Sequence, residues 1–231
     1  STAVVKLNQD GSVTVLTSSI ELGQGAHTAL SQLVAQKLGV PMERVSLSAP
    51  DTDYTPYDQS TSGSRTVFHM GNAVLRAAGE IMRQLCELAA PILDVPVESL
   101  ECRDGAVWSK ERPRGKKTYA EVIRARYGAR GTTIQGRGTF TPPAAVPPDK
   151  ETGQSPKVSA FWMYATHVAD VEVDLEPGRI KVLRMVAAHD VGKAINPVGV
   201  EAQIEGGVVQ GVGATLSEEL LVRNGIVLNP S

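Results

Sequence analysis

The sequence predicts an α+β fold: twisted antiparallel hairpin sheets with three or four packed helices, in one or two closely joined lobes. Three observations carry that reading. β-rich runs pair around turn dipeptides such as Asp10-Gly11, apolar residues recur at helical spacing between them, and no repeated strand–helix–strand pattern runs along the chain. At 231 residues, with 42% hydrophobic and 21% charged, the composition is that of an ordinary globular protein of one or two domains.

Val4 to Leu7 and Val13 to Leu16 flank Asp10-Gly11, so the chain opens with an antiparallel pair. After Gly23-Gln24-Gly25 the spacing turns helical, with Leu30, Leu33, Val34 and Leu38 on one face until Gly39 and Pro41 stop it. A strand from Val45 to Ser48 follows. The polar stretch Pro50 to Arg65 reads as a long loop, a type usually functional or disordered, and leads into a second helix from about Gly71 to Leu93.

The end of that helix, Leu93-Asp94-Val95-Pro96-Val97-Glu98-Ser99-Leu100, echoes Leu38-Gly39-Val40-Pro41-Met42-Glu43-Arg44-Val45. Either one helix–turn–strand unit is used twice, or the same Pro-fixed turn is chosen twice. In both cases the two helix–turn–strand units, the first from the α-helical run before Gly39 and the second from the one before Asp94, are expected to be spatial neighbours. Asp104-Gly105 turns a second hairpin between Leu100 and Trp108, and Lys110 to Lys117 reads as a solvated basic loop.

Tyr119 to Tyr127 reads as a short amphipathic helix with Ala120, Ile123 and Tyr127 toward the core. Thr139 to Pro156 is a Pro-rich linker or a wrapping arm able to meet a partner chain. Glu176-Pro177-Gly178 joins Tyr164 to Leu175 with Arg179 to Ala188 in a third hairpin. A last helix, from about Val198 to Glu219, carries Gly206, Gly207, Gly211 and Gly213. Each glycine costs about 1 kcal/mol relative to alanine, so something must approach that backbone closely. The organisation expected is a first lobe over 1–107, a connecting helix and linker over 108–157, and a second lobe over 158–231.

Several function classes drop out. With 23 Lys and Arg against 25 Asp and Glu, the net charge of -2 lacks the basic field that nucleic acid requires. No long apolar run suggests a membrane span, and the first residues carry no export signal. The two cysteines, Cys86 on an apolar helix face and Cys102 in a strand-like stretch, make no disulfide framework or four-thiolate site; they read as structural, in a reducing, cytoplasmic compartment. His27, His69, His167 and His189 are scattered without zinc-ligand spacing, and no nucleophile elbow or Walker loop is present. His189-Asp190 reads as structural, because neighbours in a strand face opposite ways.

Three elements can carry chemistry. Gly23-Gln24-Gly25 lies where a helix begins, so it is an anion or phosphate seat, or else a plain tight turn; Thr28 in place of a third glycine excludes the dinucleotide fingerprint. Ser60-Thr61-Ser62-Gly63-Ser64-Arg65-Thr66 packs hydroxyls and one guanidinium ahead of a helix: a donor-rich cradle, or a Ser-rich loop with a helix cap. Gln210 is polar in an apolar, glycine-rich run, and a buried glutamine there needs a ligand or a neighbouring strand as partner.

Four stretches in this order resemble the molybdenum-binding subunit of the xanthine dehydrogenase and aldehyde oxidase family of molybdenum hydroxylases, in its C-terminal portion. They are Glu21 to Thr28, Ser62 to Thr66 with Met70-Gly71-Asn72-Ala73, Asp190 to Pro197, and Glu205 to Gly211. The resemblance implies a molybdenum-cofactor-binding-domain-like fold. It implies that Gly23, Gln24 and Gly25 contact the pterin or its phosphate, that Ser62, Gly63, Ser64, Arg65 and Thr66 bind the pterin and diphosphate, and that Gln210 reaches the cofactor from the glycine-rich helix. Molybdenum would be held by the pterin dithiolene, so no protein metal ligand is expected. The cofactor implied is molybdopterin, in its cytosine dinucleotide form, and the chemistry is oxidation of an aldehyde or N-heterocycle with oxygen from water. Iron–sulfur clusters and FAD would sit on partner domains or subunits, beside the N-terminal half of the molybdenum subunit.

Members of the family continue past the equivalent of Leu228-Asn229-Pro230-Ser231 into a loop whose glutamate is the general base. No catalytic residue is therefore expected within this sequence, which reads as a fragment or one piece of a split subunit, inactive alone. Two alternatives stand: a relative of the hydroxybenzoyl-CoA reductase or carbon monoxide dehydrogenase type, and a non-catalytic scaffold or insertion protein for the pterin cofactor.

Overall fold

β1 (Thr2–Leu7) and β2 (Val13–Leu16) pair antiparallel across the Asp10-Gly11 turn, with Val5 opposite Val15. The strand period of two puts Ala3, Val5, Leu7, Val13 and Val15 on one face, where all are fully buried. These coordinates are those of a computed structural model that describes residues 1–112 and 115–230, divided into two compact units, Ser1–Ala144 and Ala145–Ser231.

In the first unit, α1 (Ala26–Leu38) ends on Gly39, whose φ of 63° lets its amide donate back to Ala35 and Gln36. A short 3-10 turn leads into β3 (Val45–Leu47), which pairs parallel to β2. This one edge pair is parallel beside the expected antiparallel hairpins, because a helix crossing between two strands returns the chain to the same end. α2 (Thr66–Leu93) begins earlier than expected, directly after the polar loop.

β4 (Leu100–Arg103) and β5 (Ala106–Ser109) turn at Asp104-Gly105, and β6 (Lys116–Thr118) extends that antiparallel sheet. Part of the expected basic loop, residues 113–114, lies outside the described residues. α3 (Tyr119–Tyr127) starts with a capping box in which the Glu121 amide donates to Thr118 Oγ1 at 3.2 Å and the Thr118 amide to Glu121 Oε2 at 2.8 Å. It buries Tyr119, Val122 and Ile123, whereas Tyr127 is 47% exposed. The inward face is rotated from the expected one because Tyr119 anchors it, donating its hydroxyl to the Leu38 carbonyl at 2.7 Å.

β7 (Ile134–Thr139) pairs with β1 and completes a sheet in the order β3-β2-β1-β7. α2 lies against this strand through Ala73, Ala77 and Ile81, and the approach is so close that a Cβ at Gly138 would sit 2.1 Å from the Ala73 carbonyl oxygen. β6, α3 and β7, read from sequence as a connecting segment, are thus built into the first unit.

Two contacts fix how the helices run. A Cβ at Gly71 would meet Leu33 at 3.0 Å, and one at Gly79 would meet Lys37 at 4.0 Å. α1 and α2 are therefore parallel, with both N-termini at one end. A Cβ at Gly39 would lie 2.5 Å from the Asp104 amide, so the end of α1 meets the β4–β5 turn, and with α1 packed on α2 the two helix–turn–strand units are neighbours.

In the second unit, β8 (Tyr164–Val173) and β9 (Ile180–Asp190) form a long antiparallel ribbon with a bulge between Asp170 and Val171. α4 (Pro197–Leu216) is capped by Asn196, whose side chain accepts from the Gly199 amide at 3.3 Å, and it packs beside β9. β10 (Val222–Arg223) and β11 (Ile226–Val227) turn at Asn224-Gly225, with φ of 50° and 77°. No described residue from 145 to 230 is buried. Among the described residues, no helix is long and apolar enough to cross a membrane, and no group of three or more His, Cys, Asp and Glu is placed to hold a metal ion.

Candidate functional site

The parallel packing of α1 and α2 brings two of the three sequence-predicted elements to one end of the first unit. The Ile20 amide donates to Thr61 Oγ1 at 3.0 Å, tying the loop before α1 to the loop before α2. Ser18 adds a bond to Thr55 at 3.1 Å.

The α1 end is already satisfied. Glu21 Oε1 accepts from the Gly23 amide at 3.0 Å and the Gly25 amide at 2.9 Å, and Oε2 from the His27 amide at 3.0 Å. Partial burial pushes this carboxyl up, but the bonds from His27, Gly25 and Gly23 outweigh it and hold its pKa below the usual glutamate value. Gln24 closes the same loop on itself, accepting from the Leu22 amide at 2.5 Å and donating to the Ile20 carbonyl at 2.8 Å. The anion seat expected at Gly23-Gln24-Gly25 thus exists, with the chain's own carboxylate in it. The glycines, at φ of 98° and 76°, bend the backbone so that its amides converge on that carboxylate.

The α2 end is open. Gly63 and Ser64 both have positive φ, 58° and 57°, before the chain turns right-handed at Arg65, whose amide donates to the Ser62 carbonyl at 3.3 Å. Among the described residues no side chain caps the helix at Arg65, and its first turn holds no acidic residue to meet the positive end of the dipole. Ser62, Gly63 and Ser64 are exposed; Ser62 exchanges a bond with Ser60 at 2.8 Å, and no protein group among the described residues bonds the Ser64 or Thr66 side chain.

Arg65 is not an outward-facing donor. Its guanidinium lies 12% exposed against Asp58, 4% exposed, at 2.9 Å. It also donates to the Ser60 carbonyl at 2.7 Å and Ser1 Oγ at 3.2 Å, and meets His69 Nδ1 at 3.0 Å. Desolvation, then the Arg65 charge, hold His69 below the usual histidine range. Arg65 and Asp58 brace the serine turn from beneath.

Gln210 belongs to the second unit, where it is exposed, with no bonded protein partner among the described residues. Gly206 and Gly207 precede it by four and three residues and share its face of α4, and Gly211 follows it directly. Nothing in the structure comes within 4 Å of where a Cβ would stand at any of these three glycines. Among the described residues of the second unit, nothing supplies the close neighbour expected from the sequence. Of the twenty residues of α4 only Glu201 and Glu205 are charged, a composition found in helices covered on all sides.

Sequence reasoning missed Glu21 as a capping group and Asp58 as the partner of Arg65. A carboxylate just ahead of a Gly-x-Gly at a helix start was the available signal for the first; nothing local signalled the second. The histidines are less scattered than expected: His167 and His189 meet across β8 and β9 with their Nε2 atoms 2.7 Å apart.

Comparison with known proteins places these features. Residues 1–231 match the molybdopterin cofactor-binding domain family. The nicotine 6-hydroxylase large subunit of Paenarthrobacter nicotinovorans is 34% identical over 224 residues, covering 96% of this chain and 26% of that protein. The xanthine dehydrogenase molybdenum-binding subunit of Escherichia coli O157:H7 is 29% identical over 231 residues, covering 97% and 29%. Reconstituted CO dehydrogenase from Oligotropha carboxidovorans superimposes with a TM-score of 0.83 at 25% identity, covering 98% of this chain and 27% of that one. The chain thus spans between a quarter and a third of the length of these relatives.

Proposed function

The chain belongs to the molybdopterin cofactor-binding domain family, and from that premise we propose that it forms part of the cofactor site of a molybdenum hydroxylase, an oxidoreductase acting within a larger assembly. The observation that supports this most is the contrast between two parallel helix ends, one closed by Glu21 and the other left open under an exposed serine turn.

The residues present fit such a group. In the first unit, the amides at the start of α2 with Ser62, Gly63, Ser64 and Thr66 offer neutral donors and a helix dipole to a phosphate or diphosphate. Arg65 serves as a positioning residue, since its guanidinium holds the turn through Asp58 and the Ser60 carbonyl. Gly23, Gln24 and Gly25 shape the adjoining loop, and its exposed rim offers polar edges to a pterin. In the second unit, Gln210 stands on a ledge of bare glycine backbone, and its amide can donate and accept toward a heterocycle lying flat on that ledge. When bound, the molybdenum cofactor supplies two-electron oxidation of an electron-poor carbon with water as oxygen source. This chain's residues bind and orient it; no general base is assigned among them.

The cytosine dinucleotide form, iron–sulfur and flavin partners, and a cytoplasmic setting complete the reading. Substrate class is left at aldehydes and N-heterocycles, because the similar proteins act on chemically different substrates according to their names. The uncovered α4 and the wholly exposed β8 support completion of the second unit by the rest of a longer subunit.

The test is the molybdenum and cytidine phosphate content of the protein purified with the chains that accompany it. Both near one per assembly are expected. A folded assembly that contains neither overturns the proposal.

A further inference from the structure

The two cysteines that read as unrelated in sequence are brought together by the fold. Cys86 lies on α2 and Cys102 on β4, and their sulfurs are 3.7 Å apart, both half-buried. We propose that Cys86 and Cys102 are a peroxide-sensitive dithiol, a modification site in which Cys86 is the attacking thiolate and Cys102 the resolving thiol.

Three observations assign the roles. Cys102 has the Met82 carbonyl oxygen at 3.5 Å as an acceptor beside the Cys86 sulfur, and in the contact between the two sulfurs either can donate. Donation from Cys102 holds the Cys86 thiol below its usual range; partial burial opposes this, and the Lys110 charge adds to it. The same shared proton, followed by deeper burial, pushes Cys102 upward, with Tyr119 close by. A thiolate with an adjacent neutral thiol is the arrangement that converts one oxidation event into a disulfide.

The chemistry balances with hydrogen peroxide as oxidant. The Cys86 thiolate attacks one peroxide oxygen, the O–O bond breaks, and hydroxide leaves and takes up a proton as water. The Cys102 sulfur then attacks Cys86, the S–O bond of the sulfenic acid breaks, and a second water leaves carrying the Cys102 proton. Two thiols have lost two electrons and the peroxide has gained them. Closing the bond requires the sulfurs to approach by about 1.7 Å from 3.7 Å, to the roughly 2.05 Å of a disulfide, within the reach of χ1 rotation. The bond would staple the middle of α2 to β4, the first strand of the β4-β5-β6 sheet.

The experiment treats the folded chain with stoichiometric hydrogen peroxide and follows it by intact mass and peptide mapping under non-reducing conditions. The expected result is a mass loss of about 2 Da per chain, one peptide pair linking Cys86 to Cys102, and a Tm raised by several degrees that dithiothreitol reverses. In Cys102→Ser, a dimedone adduct should accumulate at Cys86; in Cys86→Ser, adduct formation at Cys102 should be at least tenfold slower. Wild-type protein in which both thiols stay alkylatable after peroxide, or are linked only between chains, overturns the proposal, and this arm needs no variant to fold. Equal adduct formation at the two sites overturns the assignment of roles.

Discussion

The carboxylate of Glu21 and the amide of His27 lie 3.0 Å apart, across the first turn of α1. With the Gly23 and Gly25 amides on its other oxygen, this one side chain takes up two of the donors that a helix start leaves without partners, those of Gly25 and His27. The parallel neighbour α2 has no such group. The division of labour between the two ends follows: α1 is a structural support, and α2 is where an external anion gains most.

Removing the Glu21 charge should therefore weaken the fold. Glu21→Gln is expected to cost about 1 kcal/mol at neutral pH, the usual scale of a cap with a dipole contribution. Because hydrogen bonding holds the folded-state pKa below the ordinary 4.5, the carboxylate's contribution is fully present above that value and is lost as pH falls through the folded-state pKa. The Tm difference between wild type and variant should shrink below pH 4. An unchanged difference at pH 3 would contradict the assignment.

Asp58 and Arg65 should be harder to separate. Both side chains are nearly buried, so Asp58→Asn leaves a guanidinium without its counter-charge, at an expected cost of about 3 kcal/mol. Burial pushes the Asp58 carboxyl up, but bonds from Ser1 and Arg65 outweigh it, so this contribution too is present at neutral pH and lost in acid. Thermal unfolding measures the loss, and limited proteolysis should show faster cleavage between residues 50 and 65. A variant as stable and as protease-resistant as wild type would refute the bracing role.

Glycines on β7 and α4 should respond oppositely to the same substitution. Gly138→Ala drives a methyl into the Ala73 carbonyl and should cost at least about 3 kcal/mol. Gly207→Ala meets nothing within 4 Å among the described residues and should stabilise α4 by up to about 1 kcal/mol. In the complete assembly, however, Gly207→Ala should lower molybdenum content, because the methyl occupies the ledge beside Gln210. Paired unfolding curves and metal analysis separate the two effects; full metal content in Gly207→Ala would remove the ledge from the proposed site.

Much of the fold was legible where local chemistry decides it. Asp10-Gly11, Asp104-Gly105 and Glu176-Pro177-Gly178 marked their hairpins, and Gly39 marked the end of α1. β7 was missed because its buried positions are Ile134, Gly136 and Gly138, and glycine reads as a break rather than as the inward face of a strand. Only the close approach of Ala73 and Ala77 on α2, remote in sequence, explains those glycines. Asn224-Gly225 carried a readable hairpin signal that was passed over. In the site, the serine turn and Gln210 stood out by composition. The partners of Arg65 and Glu21 depend on tertiary packing and loop closure, which no periodicity reports. The exposure of Gln210 was not legible, because its apolar neighbours resemble those of a covered helix.

The most direct test of the central claim places on α2 the kind of group that α1 already has. Ser64→Asp sets a carboxylate beside the open helix end, at a positive φ that aspartate tolerates. The measurement is the molybdenum content of the variant, purified with its accompanying chains, against its Tm. The prediction is a Tm equal to or above that of wild type with molybdenum reduced at least tenfold, because the added charge occupies and repels what the helix would otherwise bind. Wild-type molybdenum content in a folded Ser64→Asp protein would contradict the assignment of the α2 end to the cofactor.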